Sequence, residues 1–181
     1  MTTALKLVTA EELLAIGNRL LELYEGELRT VSPANFRHGQ IAVQIALLLK
    51  QYVKAKNLGA VVVEVGFVLA RNPDTVLGPD VAFISKSRVP GEDHREKFVE
   101  GHPDLAVEII SPSNPRRERE EKLKTYLRYG TPLGWLVDPA AETVEIYRPG
   151  TSVQRLAKAE MISFGDVIPG FSCAVADFFD V

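Results

Sequence analysis

The spacing of apolar residues along the chain predicts three helices. Thr9 and Glu12 form a capping-box pattern just before a short apolar helix that ends near Gly17. Residues 36–57 place an apolar residue at every third or fourth position, which is the period of a long amphipathic helix. Residues 116–129 are predicted to form a third helix, with charged residues around one apolar face.

Strands are predicted where apolar and β-branched residues run together or alternate with polar ones. Glu25-Gly26 separates two short runs of this kind and indicates a β-hairpin. Residues 71–78 and 86–102 are polar, and we expect them to form loops. This order of elements predicts a mixed α/β or α+β fold with the middle strands at its core. The predicted strands cover residues 19–24, 27–31, 60–70, 81–85, 104–110, 133–137, 143–148, 153–157 and 161–168.

The composition is that of an ordinary globular protein. The chain has 181 residues, 46% hydrophobic and 25% charged, so we expect one domain over residues 1–181. Its formal net charge of −3 disfavours a protein that coats nucleic acid without specificity. The single cysteine, Cys173, excludes an intrachain disulfide. We recognise no signal peptide and no membrane-spanning apolar run, and we therefore expect a cytoplasmic location without membrane contact.

Several common catalytic motifs are missing from the sequence. It contains no P-loop, no G-x-G-x-x-G after a predicted strand and no G-x-S-x-G nucleophile elbow. The histidines His38, His94 and His102 show none of the spacings typical of zinc ligands. A solvated or structural role is the simpler interpretation of each.

Two acidic residues stand at positions that are unusual for a carboxylate. Asp80 follows Pro79 at the start of a strand, and Glu108 interrupts an apolar run. A buried carboxylate is costly unless it pairs with a cation or binds a metal. If the two strands are neighbours, both carboxylates meet at one end of the sheet, where they suit Mg²⁺ or Mn²⁺. The alternative is that Glu108 pairs with a nearby Lys or Arg and that Asp80 caps a turn.

The third predicted helix is locally basic within an acidic chain. Leu123, Tyr126 and Leu127 define its apolar face, and Lys122 and Lys124 flank that face on opposite sides. Both lysines therefore remain candidates for a functional role. A solvated face with ion pairs along the helix is the alternative. The basic residues of this helix are Arg116, Arg117, Arg119, Lys122, Lys124 and Arg128.

An ordered set of short motifs resembles one known family. The motifs are GPDVAF at 78–83, PDLAVEIISPS at 103–113, EKLKTYLRYG at 121–130 and WLVDP at 135–139. Together they resemble the bacterial Uma-type putative restriction endonuclease family, which has the PD-(D/E)XK nuclease fold. The resemblance covers residues 8–179. It implies a restriction-endonuclease-like core, in which helices flank a mixed central β-sheet, with the N-terminal hairpin and small C-terminal strands added.

The resemblance also implies a set of site residues. Asp80 matches the aspartate of the Pro-Asp motif, and Glu108 matches the acidic residue of the third core strand. The usual lysine two residues later falls at Ile110, so the matching lysine is Lys122 on the following helix. The remaining candidates are Glu27 as an additional acidic residue and His38 and Lys124 as accessory residues.

The leading hypothesis is a Mg²⁺-dependent or Mn²⁺-dependent DNA endonuclease. Asp80 and Glu108 would hold the metal, and a metal-activated water would hydrolyse the phosphodiester bond while Lys122 stabilises charge on the phosphate. Arg116, Arg117 and Arg119 would contact the nucleic-acid backbone.

The sequence leaves other functions and the oligomeric state open. A homodimer is plausible because two related sites are suited to cutting both strands of a duplex. One alternative function is a non-catalytic binding or assembly protein that keeps the nuclease scaffold. Another is a metal-dependent hydrolase of RNA or of smaller phosphate esters.

Overall fold

The three predicted helices are present, and their ends follow local sequence signals. The computed structural model describes residues 7–18, 20–112 and 115–181, so Arg19, with which the predicted hairpin begins, lies outside the described residues. Thr9 and Glu12 form the predicted capping box. The helices are α1 (Ala10–Ile16), α2 (Phe36–Ala55) and α3 (Arg116–Arg128). None of the described helices is both long and apolar enough to cross a membrane.

The strands are short and form three sheets. The described residues contain β1 (Leu21–Tyr24), β2 (Glu27–Thr30), β3 (Gly59–Val63), β4 (Phe67–Ala70), β5 (Thr75–Leu77), β6 (Val81–Ser85), β7 (Val99–Glu100), β8 (Leu105–Ile109), β9 (Leu133–Asp138), β10 (Thr143–Tyr147), β11 (Gln154–Ala157), β12 (Met161–Ser163) and β13 (Ser172–Ala174). The N-terminal hairpin is β1–β2, and β12–β13 form the small C-terminal sheet.

The central sheet has six strands in the order β11-β10-β9-β8-β6-β3. Strands β8 and β9 are parallel and the other neighbours are antiparallel, so the sheet is mixed, as expected. Helix α3 connects β8 to β9. A second sheet of five strands, in the order β2-β1-β5-β4-β7, carries the hairpin.

Both faces of the central sheet are covered, which explains why its middle strands are apolar throughout. Helix α2 packs on one face together with the C-terminal segment, through residues such as Ile41, Ile45 and Trp135. Helix α3 and the strands β4 and β5 pack on the other face, through Leu123, Tyr126 and others. Residues at even positions of β8, including Glu108, belong to this second face because side chains alternate along a strand.

Three predictions along the chain are wrong. The predicted strand over residues 60–70 is two strands, β3 and β4, which belong to different sheets. The chain turns between them at Glu64, which has a positive φ of 52°, and the apolar residues on either side hide this turn. The predicted loop over residues 71–78 contains β5, whose three residues are all buried. The predicted loop over residues 86–102 contains two short 3-10 turns and β7.

Candidate active site

The strands β6 and β8 are neighbours, and this brings Asp80 and Glu108 together. Their antiparallel register pairs Val81 with Val107, so one residue further along Asp80 lies across from Glu108. The amide N–H of Ile109, the residue after Glu108, donates a hydrogen bond of 2.7 Å to Asp80 Oδ2. The predicted meeting of the two carboxylates at one end of the sheet is therefore observed.

Helix α3 brings two cations to the carboxylate of Glu108. Arg119 and Lys122 are one helical turn apart on the face that covers the sheet. Arg119 Nη1 donates to Glu108 Oε2 at 2.6 Å, and Lys122 Nζ lies 3.1 Å from Oε1. Glu108 is completely inaccessible to solvent. These contacts are those expected from the alternative interpretation in the sequence analysis, in which Glu108 pairs with a nearby Lys or Arg.

Lys122, and not Lys124, reaches the carboxylates. Its Nζ atom lies 2.7 Å from Glu22 Oε1 and donates a hydrogen bond of 2.7 Å to the carbonyl oxygen of Gly78. The Lys122 side chain is 6% exposed, whereas that of Lys124 is 56% exposed and pairs with Glu121 on the surface. Contacts with both sheets thus select one of the two candidate lysines.

The start of helix α2 places a histidine against Asp80. Asn35 caps the helix by accepting a hydrogen bond from the His38 amide, which fixes His38 in the first turn. His38 Nε2 lies 3.0 Å from Asp80 Oδ2. A carboxylate only accepts hydrogen bonds, so the histidine carries a proton on Nε2 and orients Asp80.

The pKa values of these groups reflect burial and mutual charge. Burial raises the pKa of Glu108 to about 7, against the opposing effect of Lys122 and Arg119. Burial also acts to raise the pKa of Asp80, but the hydrogen bond from His38 and the nearby cations bring that pKa below its usual value. Burial favours neutral Lys122, yet Glu108 and Glu22 outweigh it and raise the pKa of Lys122. At neutral pH Lys122 is therefore charged.

Sequence reasoning did not select Glu22, which is the third carboxylate of the cluster. It lies in β1, is buried, and accepts a hydrogen bond of 3.1 Å from the amide of Gly78. Glu27, the acidic residue suggested by resemblance, lies instead on the edge strand β2 and is exposed. The sequence does contain a signal for Glu22, because an acidic residue stands between Leu21 and Leu23 in a predicted strand.

The three arginines at the start of α3 occupy different surroundings. Arg116 pairs with three acidic side chains, those of Glu120, Asp138 and Glu145. Arg117 is exposed. The structure does not bring Arg119 to the surface with it, because Arg119 is buried against Glu108.

The cluster lies between two surface depressions. One, here called the α1 cavity, has a volume of about 610 Å³ and extends from Asp80 to α1 and to residues 95–98. The other, here called the hairpin groove, has a volume of about 900 Å³ and lies between the β1–β2 hairpin and α3. Glu22, Arg119 and Lys122 line both depressions, so a ligand that crosses from one to the other passes over the cluster.

The donor atoms present fit a divalent cation held by two carboxylates. Glu108 Oε1 is buried and lies 3.1 Å from Lys122 Nζ, but it accepts no hydrogen bond from the described residues. The two hydrogen bonds to Asp80 from His38 and Ile109, both among the described residues, reach Oδ2 and leave Oδ1 for a cation. No group of three or more His, Cys, Asp or Glu side chains suited to a metal is found among the described residues. Mg²⁺ commonly uses one or two protein carboxylates and completes its coordination with water or phosphate.

Comparison with known proteins places the chain in a family. The family Uma2, described as "Putative restriction endonuclease", matches residues 10–176. A solved structure, described as a putative nuclease belonging to DUF820 from Anabaena variabilis, superposes with a TM-score of 0.82 at 22% identity, covering 95% of this chain and 97% of that one. No curated protein matches the chain. The predicted resemblance and restriction-endonuclease-like fold are confirmed, and this protein belongs to the Uma2 family.

Proposed function

We propose that this protein is a metal-dependent DNA endonuclease that acts as one domain. The family assignment supports a nuclease. The observation that carries the proposal is the convergence of Asp80, Glu108 and Lys122. Asp80 and Lys122 line the α1 cavity, and Glu108 lies buried next to them. Two carboxylates and a lysine provide what phosphodiester hydrolysis needs, namely a cation site and a positive charge near the phosphate.

In this proposal Asp80 and Glu108 hold a Mg²⁺ or Mn²⁺ ion. Bound there, the ion polarises a phosphate oxygen and lowers the pKa of water. The chain fixes both ligands beforehand: His38 and the Ile109 amide orient Asp80, and Arg119 orients Glu108 through Oε2. Oriented partners of this kind raise metal affinity by holding the ligands in place.

Lys122 stabilises the negative charge that develops on the phosphate. Glu22 and the carbonyl oxygen of Gly78 hold its ammonium beside Glu108, so the positive charge has a fixed position. Because the lysine is buried, its interaction with a phosphate oxygen is weakly screened by water. Arg117, exposed in the hairpin groove, contacts the nucleic-acid backbone in this proposal, whereas the ion pairs of Arg116 brace the start of α3.

A non-catalytic scaffold is the second candidate function, and one observation favours it. Arg119 and Lys122 already neutralise much of the charge of Glu108, as they would in a structural ion cluster. In that case metal would not bind, and the protein would hold nucleic acid or another partner without cleaving it.

Cleavage of supercoiled plasmid, linear duplex and single-stranded DNA in millimolar Mg²⁺ or Mn²⁺ tests the proposal. We expect Asp80→Asn and Glu108→Gln to abolish cleavage, and Lys122→Met to slow it about 100-fold to 1,000-fold. Lys124→Met is the matched control, because Lys124 is on the same helix but contacts only Glu121. Undiminished cleavage by folded Glu108→Gln would contradict the proposal, and DNA binding without cleavage by the wild type would favour the scaffold.

A further inference from the structure

The lining of the α1 cavity changes character from one end to the other. Its charged end is formed by the buried cluster, including Asp80, Arg119 and Lys122. The remaining wall is lined mostly by apolar residues, together with Glu64 and the charged residues 95–97. It comes from α1, the start of β1, the segment before α2, the turn after β3 and residues 95–98. It includes Leu13, Leu14, Leu20, Leu21, Pro33 and Val65. A ligand site usually combines apolar side chains with convergent polar groups, and the volume of about 610 Å³ is within the usual size range.

Several apolar side chains in this wall remain accessible to water. Leu14 is 40% exposed and Leu20 is 39% exposed, although both are large aliphatic residues. Val63, at the end of β3, is exposed at the same cavity. Single exposed apolar residues are ordinary, but a group of them around one cavity indicates a surface that a ligand covers.

An aromatic ring is fixed in the same wall. Phe98 lines the cavity and packs against the small core that contains Leu23 and Val76. A Cβ atom added to Gly66 would lie 2.5 Å from Phe98 Cδ1, so the ring rests directly on the backbone at this glycine. The ring therefore has little freedom to move, and a fixed ring loses little entropy when a flat ligand stacks on it.

The hairpin groove continues from the charged end in the opposite direction. Basic and acidic side chains alternate in its lining. Arg29, Arg117 and Arg128 can contact the phosphates of a strand, and the acidic residues Glu25, Glu27, Glu118 and Glu121 lie among them. A strand that follows this groove over Lys122 would bring its next nucleotide to the apolar wall. The flat, aromatic part of a nucleotide is its nucleobase, which the sugar links to the phosphate.

We propose that the α1 cavity binds the base of an unpaired nucleotide beside the scissile phosphate, so that the preferred substrate is single-stranded DNA. A paired base is stacked inside the duplex and cannot enter a cavity without being unpaired. Binding of a base by an aromatic platform and a charged groove is sequence-tolerant, because every base has a π-face. This inference rests on the proposed function for the position of the phosphate.

Fluorescence anisotropy with a labelled DNA oligonucleotide tests the inference. The single strand and its blunt duplex are titrated with the wild-type protein at low salt in EDTA, which prevents metal-dependent cleavage. We expect the single strand to bind at least about tenfold more tightly, and Phe98→Leu to weaken its binding by about 5-fold to 150-fold. Leucine keeps an apolar side chain but lacks the aromatic face.

Phe36→Leu is the matched control, since Phe36 is exposed on α2 and does not line the cavity. Leu20→Ser is the second variant, because an exposed residue can be changed without disturbing the core; it should also weaken single-strand binding. The inference is overturned if the duplex binds as tightly, if the single strand does not bind, or if Phe98→Leu matches Phe36→Leu. Tighter binding of an RNA strand of the same sequence would overturn the assignment to DNA.

The outcomes for this inference and for the proposed function are separable. Metal-dependent cleavage that requires Glu108 but is unaffected by Phe98→Leu would support the proposed nuclease function and contradict the proposed base site. Selective single-strand binding that requires Phe98, without cleavage of any DNA by the wild type, would support a base site in the α1 cavity and contradict the proposed nuclease function.

Discussion

Removal of the Arg119 guanidinium measures how strongly the buried cluster depends on its internal ion pairs. Arg119 Nη1 lies 2.6 Å from Glu108 Oε2, and both side chains are almost inaccessible to water. Breaking a buried ion pair by removing one partner costs about 3–5 kcal/mol, because the other charge stays buried without its partner. We expect Arg119→Met to lower the free energy of unfolding by this amount at about pH 8.5, where Glu108 is ionised.

The cost of this substitution should depend on pH. Burial raises the pKa of Glu108 from 4.5 to about 7. At a pH between these two values, the folded state keeps a proton on Glu108 that the unfolded state has lost. The stability contributed by this group is complete below the unfolded pKa and is lost as the pH rises through the folded pKa. Arg119 opposes that rise, so its removal moves the folded pKa upward. Arg119→Met should therefore cost less at about pH 6 than at about pH 8.5.

Urea unfolding at both pH values gives the free energies. Trp135, the single tryptophan, is fully buried and reports the transition by fluorescence. Arg117→Met is the matched control on the surface of the same helix, and the double variant Arg119→Met with Glu108→Gln removes both charges. We expect the double variant to be more stable than Arg119→Met at about pH 8.5. Equal stability of Arg119→Met and Arg117→Met, or a loss independent of pH, would refute the reasoning.

Two further predictions concern the surroundings of the site. Burial acts to raise the pKa of Asp74, but hydrogen bonds from the Ala10 N–H and from Arg71 hold that pKa below its usual value. The stability that Asp74 contributes is therefore lost as the pH falls through the lowered pKa of the folded state. Asp74→Asn should cost about 1–3 kcal/mol at neutral pH and less in acid, measured by urea unfolding; equal costs would contradict this. Gly66→Ala should cost about 1–3 kcal/mol by displacing the Phe98 ring, measured by thermal unfolding, and an unchanged melting temperature would contradict that.

Much of the central sheet and part of the site could be predicted from local sequence. Asp80 and Glu108 can be recognised from the sequence because each carboxylate lies in or next to an apolar strand, where burying an unpaired charge is unfavourable. Lys122 could not be separated from Lys124 by periodicity, because contacts with Glu22 and Gly78 in distant segments decide between them. The choice depends on packing between the two sheets.

Other parts of the site required the three-dimensional structure. Arg119 falls on the same helical face as Lys122, Leu123 and Tyr126, so extending the apolar period by one turn would have placed it inside. Its charge favoured the surface interpretation, and only the partner Glu108 makes its burial acceptable. The break between β3 and β4 was hidden because the positive φ of Glu64 leaves no mark in hydrophobicity.

Calorimetric titration of Mn²⁺ into the purified protein tests the central claim most directly, because it requires no knowledge of the DNA substrate. The account predicts that the wild type and Lys124→Met bind Mn²⁺. It predicts that Asp80→Asn and Glu108→Gln each bind Mn²⁺ more than about tenfold more weakly than the wild type. Thermal unfolding of each variant confirms that it is folded. Wild-type affinity in both folded carboxylate variants, or no binding to the wild type at millimolar Mn²⁺, would contradict the account.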